Sequence, residues 1–100
     1  ISFLMDSSGQ WSLSPAYDMG FAYNPLGAWT ATHQMSINGK FDNITRADLL
    51  SLANANNIKN ASEIIDQVCE TTAGWPELAK NCGVPQKMID GIVPHMLLSI

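Results

Sequence analysis

A chain of 100 residues holds one domain or part of one, and a hydrophobic content of 46% excludes an intrinsically disordered segment. The net charge is −4, and Lys40, Arg46, Lys59, Lys80 and Lys87 are too scattered for the basic stripe that direct nucleic-acid binding requires. Charged residues make up only 14% of the chain, which for so small a body predicts apolar surface that belongs against another segment. The ends point the same way. Ile1-Ser2-Phe3-Leu4-Met5 enters a strand with no polar lead-in and Met96-Leu97-Leu98-Ser99-Ile100 finishes apolar, so the expectation is a piece of a larger fold. The longest apolar run, from Ile92 to Ile100, is too short to span a membrane and is broken by Pro94 and His95.

In chain order, Ser2 to Met5 and Gln10 to Leu13 read as two strands joined through Asp6-Ser7-Ser8-Gly9, whose small polar residues and glycine suit a tight turn. Pro15 ends the pairing because it has no N–H to give a ladder. The stretch from Gln10 to Asp18 therefore sets a carboxylate, Asp18, in a loop directly after a hairpin. Protein kinases present a magnesium-binding carboxylate to nucleotide phosphates in this way. On those nine residues alone an ordinary surface aspartate beside a proline turn is the simpler reading. From Met19 to Gln34, Gly20, Pro25 and Gly27 interrupt Phe21, Tyr23 and Trp29, predicting a long loop. Met35-Ser36-Ile37 alternates like a short extended segment, and Asn38-Gly39 is a turn dipeptide. Lys40 beyond it is expected to be a solvated turn lysine with no site role.

The first helix has clear start signals: Thr45 as cap, Asp48 three residues later to return the hydrogen bond, and Ile44 and Leu49 spaced as a hydrophobic staple. Leu49, Leu50, Leu52 and Ala53 are expected to be its buried face, with Asn54 to Asn57 ending it. A second helix should begin near Asn60 with Glu63 in the reciprocal position, and Ile64, Ile65, Val68, Cys69 and Thr72 should form its apolar stripe. Gly74-Trp75-Pro76 should break it, leaving a further turn or two from Glu77 to Cys82 closed by Gly83. Pro85 suits the first turn of the next helix, whose stripe runs Met88, Ile89, Ile92, Val93, Met96, Leu97, with a kink near Pro94. The expectation is thus an α+β fold, mainly α: a hairpin and aspartate loop over 1–18, a loop-rich segment over 19–44, and a cluster of three to four helices over 45–100.

Cys69 and Cys82 lack metal-site or redox-site spacing and fall on apolar positions, so buried reduced thiols in a cytoplasmic protein are the expectation, with a structural disulfide as the alternative. His33 and His95 lie far apart in sequence with no third ligand implied, which argues against a histidine metal site.

Two stretches, Leu13-Ser14-Pro15-Ala16-Tyr17-Asp18 and the run from Met35 to Leu50 containing Asn43-Ile44-Thr45-Arg46-Ala47, resemble in order and spacing the C-terminal lobe of HipA-like serine/threonine kinases. Those kinases are the toxin half of a bacterial toxin–antitoxin pair, and the likeness runs from Ile1 to about Gly83, weakening after Trp75. The resemblance implies a kinase-like C-terminal lobe in which Asp18 binds magnesium and Tyr17 beside it lines the ATP site. It also implies a protein substrate and a small DNA-binding antitoxin as partners, with any link to DNA indirect. In that pattern a second metal ligand, an asparagine, and the catalytic aspartate precede the strand that begins here at Ile1. No glycine-rich phosphate loop and no strand-borne lysine are seen either. Phosphoryl transfer needs several such groups acting together, so no catalytic residue is assigned and the polypeptide alone is expected to be inert. The alternative is a non-catalytic helical module that docks another protein through exposed apolar residues, to which low charge and five methionines are equally suited. The same surface predicts self-association of the isolated segment.

Overall fold

Two short apolar-rich segments flanking a polar turn build the opening ribbon. The computed structural model describes residues 1–100. Strands β1 (Phe3–Met5) and β2 (Trp11–Leu13) pair antiparallel in the register Phe3↔Leu13, Leu4↔Ser12, Met5↔Trp11. The turn is closed by Gly9 N–H donating to the Asp6 carbonyl and Asp6 N–H to that of Gln10, each at 3.0 Å, with Gly9 at φ +83°. Only glycine takes that left-handed position without penalty, giving a type I turn with a bulge. The Asp6 carboxylate reinforces it, accepting from the Ser8 hydroxyl at 2.6 Å, the Ser8 N–H at 2.8 Å and the Gln10 N–H at 3.0 Å. These bonds, the Ser8 hydroxyl foremost, hold its carboxyl below the usual range. The two-residue period puts Phe3, Met5, Trp11 and Leu13 on one ribbon face, and all four are exposed.

Residues 14–44 carry no helix or named strand. The turn at Asn38-Gly39 forms as its sequence predicts, with φ of +52° and +77° and an isolated bridge between Ile37 and Lys40. A further bond from His33 N–H to the Phe41 carbonyl, 3.0 Å, extends this small hairpin.

Helix α1 (Arg46–Ala55) starts from Thr45 in extended conformation, and the Thr45–Asp48 capping box is present. It ends on Asn57 at φ +54°, where Ile58 N–H reaches back to the Ala53 carbonyl at 2.9 Å. Ile44 is buried and Leu49 half-buried, as a staple requires. Helix α2 (Ala61–Ala73) departs from expectation at its start. Asn60 is left-handed, φ +56°, rather than extended, and its side chain makes no capping bond, so no reciprocal pair with Glu63 forms. Helix α3 (Trp75–Asn81) follows directly after Gly74, with Pro76 in the first turn where its missing N–H is harmless. It closes on Gly83 at φ +81°, Val84 N–H bonding the Ala79 carbonyl and Gly83 N–H that of Lys80, both at 3.0 Å. Helix α4 (Gln86–Ile92) is capped by Pro85 itself. A 3₁₀ turn, Val93–His95, follows, and Met96 is already extended, so the expected stripe through Met96 and Leu97 is cut at Pro94.

The architecture is therefore α+β and mainly α, a hairpin followed by a cluster of short helices. Only Ile44, Asp48, Ala53, Ala79 and Ile89 are buried. Leu50 and Leu52 of α1, Ile64 and Val68 of α2 and Met88 of α4 are exposed, contrary to the buried faces their spacing predicts. The reason is geometric. Consecutive helices touch pairwise, α1 with α2, α2 with α3, α3 with α4, but they do not close on a common centre. The radius of gyration, 16.4 Å, exceeds the roughly 13 Å of a compact 100-residue domain. Cys69 is consequently half-buried and Cys82 exposed; both are free thiols, but neither is enclosed. Arg46 fastens α1 to α2 and to the chain end: its guanidinium donates to Asp66 Oδ1 at 2.8 Å, Ser62 Oγ at 2.6 Å and the Ile100 carbonyl at 3.2 Å. No helix is long and apolar enough to cross a membrane.

Replacing Thr45 with alanine should lower unfolding stability by about 1 kcal/mol in urea titrations, and an unchanged midpoint would show that α1 does not depend on this cap. In native protein Cys82 should react with a thiol reagent before Cys69; the reverse order would contradict the observed exposures.

Candidate functional site

Two serines fix the exit of the ribbon. Ser14 N–H donates to the Ser2 carbonyl at 3.0 Å, and the Ser2 and Ser14 hydroxyls lie 3.1 Å apart. Pro15 then ends the ladder, and the chain reaches Asp18 without regular structure. Asp18 has φ +54°, a left-handed backbone that aspartate tolerates better than most residues but that still costs about 1 kcal/mol. Its side chain is exposed, and the chain's two ion pairs, Lys40–Asp48 and Arg46–Asp66, leave it free. Tyr17 beside it is 63% exposed. Nowhere do three His, Cys, Asp or Glu side chains converge in a way that would hold a metal. Asp18 is thus a single exposed carboxylate with no cluster of acidic or imidazole groups converging on it.

The most strongly bonded carboxylate is a different one. Asp48 is 4% exposed, yet each of its oxygens is satisfied. Oδ2 accepts from Lys40 Nζ at 2.7 Å, Thr45 Oγ1 at 2.6 Å and Thr45 N–H at 2.8 Å, and Oδ1 accepts from Asn38 Nδ2 at 2.9 Å. These donors, Lys40 first, then Thr45 and Asn38, hold its carboxyl far below the ordinary carboxylate range. Lys40 is thus not a purely solvated turn lysine: the Asn38-Gly39 reversal folds it back onto the helix start. The signal was an acid in the first turn of a helix, within reach of a lysine eight residues earlier.

Between the 20–34 loop, the Phe41–Ile44 segment and the 3₁₀ turn lies an open groove of about 820 Å³. Phe21, Tyr23, Trp29 and Phe41 line it together with His33 and His95. The histidines, remote in sequence, share this groove, and the His95 ring lies against Tyr23 with centroids 4.9 Å apart. Phe21 meets Tyr23 edge-on at 6.3 Å. Linear spacing carries no trace of this gathering, because it depends on Pro94 turning the chain out of α4. Neither Tyr17 nor Asp18 lines the groove.

The profile of the HipA-like C-terminal domain matches residues 1–91, and the chain belongs to that family. No curated protein and no solved structure matches it.

The depressed Asp48 carboxyl gives a pH signature. Its folded-state value lies below the unfolded one, so its stabilisation is complete above the ordinary carboxylate range, begins to be lost as pH falls into that range, and is lost fully only as pH falls through the depressed folded value. Unfolding stability of the native chain should decline on acidification below about pH 4, and Asp48→Asn should be less stable at neutral pH and lose less on acidification. Parallel pH curves for the two proteins would refute that role.

Proposed function

We propose that this chain is the part of a HipA-like protein serine/threonine kinase that supplies Asp18 as a magnesium ligand at the ATP site, with Tyr17 beside it. The observation that carries the reading is the free, exposed carboxylate of Asp18, held in a left-handed loop straight after the ribbon in a chain of this family. Magnesium, when bound, neutralises phosphate charge. The chain's own contribution is positional: the Ser2–Ser14 pair and Pro15 set where the Asp18 loop leaves the ribbon.

Alone, the chain is inert under this proposal, since one carboxylate cannot align a nucleotide and a hydroxyl acceptor. Its surface supports a role as one piece of a larger body. The accessible area is 8232 Å², nearly half as much again as the roughly 5,600 Å² of a folded monomer of this mass. The remainder of the kinase is the proposed cover for the ribbon face and for the apolar residues of α1, α2 and α4. A DNA-binding antitoxin and a protein carrying the acceptor serine or threonine are the proposed further partners. Two free thiols suit a cytoplasmic site of action.

In the full-length protein, Asp18→Asn should lower magnesium-dependent ATP turnover by about 100-fold or more while leaving the fold intact by circular dichroism. Turnover at the native rate would remove Asp18 from the site and favour a non-catalytic docking module, whose exposed helix residues would serve binding alone. The chain by itself should show no ATP turnover, and measurable hydrolysis would overturn the claim of inertness.

A further inference from the structure

The groove beside the 3₁₀ turn has a charge pattern distinct from that of a nucleotide site. Phosphate sites present lysine, arginine or converging backbone N–H groups. None of the five lysine and arginine side chains lines this groove; the imidazoles of His33 and His95 do. Lys40 is committed to Asp48 and Arg46 to Asp66, while Lys59, Lys80 and Lys87 lie elsewhere. The only carboxylate in the lining is Asp42, which belongs to neither ion pair. Four aromatic rings line the same groove, of which Phe21, Tyr23 and Phe41 keep about half of their surface exposed. The amide of Gln34 has its nitrogen bonded to the Trp29 carbonyl at 2.9 Å, which leaves its oxygen as an acceptor.

We propose that this groove, formed by Phe21, Tyr23, Trp29, Phe41 and Asp42, binds a small organic cation: a flat or alkyl body carrying an amidinium, guanidinium or ammonium group. Ring faces attract such a cation through their quadrupole, and one unpaired carboxylate supplies the counter-charge. The apolar body of the ligand covers ring surface that water now reaches. Anionic ligands find no lysine or arginine here and meet the Asp42 carboxylate. The volume of about 820 Å³ suits a small molecule, for which pockets of roughly 300 to 1,000 Å³ are usual. This site is independent of the role given to Asp18.

Benzamidine and its neutral isostere benzamide separate charge from shape. In calorimetric titrations of the full-length protein, benzamidine should bind saturably and at least about 3-fold more tightly than benzamide. Asp42→Asn should abolish that difference, and Tyr23→Leu should weaken both ligands. Asp18→Asn should leave benzamidine affinity unchanged, which keeps this site distinguishable from the nucleotide site. Absence of saturable binding, equal affinity for the two ligands, or a preference that survives Asp42→Asn would each overturn the proposal.

Discussion

The buried carboxylate of Asp48 is the contact on which the order of the chain depends, because it is the place where loop becomes helix. It draws the Asn38-Gly39 turn, the Lys40 ammonium and the Thr45 cap onto one pair of oxygens. A buried carboxylate without partners would be strongly unfavourable, whereas one with four donors locks the elements that supply them. Arg46, two residues earlier, continues the connection by joining α1 to α2 and to the last residue. Polar bonds, some between near neighbours and some reaching as far as Arg46 to Ile100, thus carry an organising role that a larger apolar core carries in a compact domain.

That arrangement leaves the apolar surface uncommitted. The ribbon offers Phe3, Met5, Trp11 and Leu13 on one face, and the helices offer Val68 and Met88, both more than half exposed. Such surface is costly in water and is the usual mark of an interface. The same openness gives Asp18 its character: a carboxylate packed into a core would have been claimed by internal donors, as Asp48 is, whereas Asp18 is available to a ligand from outside.

Elements whose cause is local were legible in the sequence. The hairpin follows from the Asp6-Ser7-Ser8-Gly9 turn between two apolar-rich segments, α1 from Thr45 and Asp48, the ends of α1 and α3 from Asn57 and Gly83, and the break after α2 from Gly74 and Pro76. Two local expectations failed because residue type did not decide backbone conformation. Asn60 took a left-handed conformation instead of an extended cap, and Pro94 ended the last helix instead of bending it. The predicted buried faces of α1, α2 and α4 failed for another reason: periodicity identifies which residues share a face, not whether anything covers it.

The sequence by itself determined the family, the α+β order of elements and the position of Asp18 in a loop after the ribbon, since these rest on short-range backbone chemistry and on the linear order of motifs. Only the tertiary structure decided that Lys40 closes on Asp48, that Arg46 reaches Ile100, and that His95 lies against Tyr23 in an aromatic groove that His33 also lines. Each of those contacts joins residues whose separation along the chain carries no period. Their meeting is set by the angles at which turns and helix ends send the chain onward.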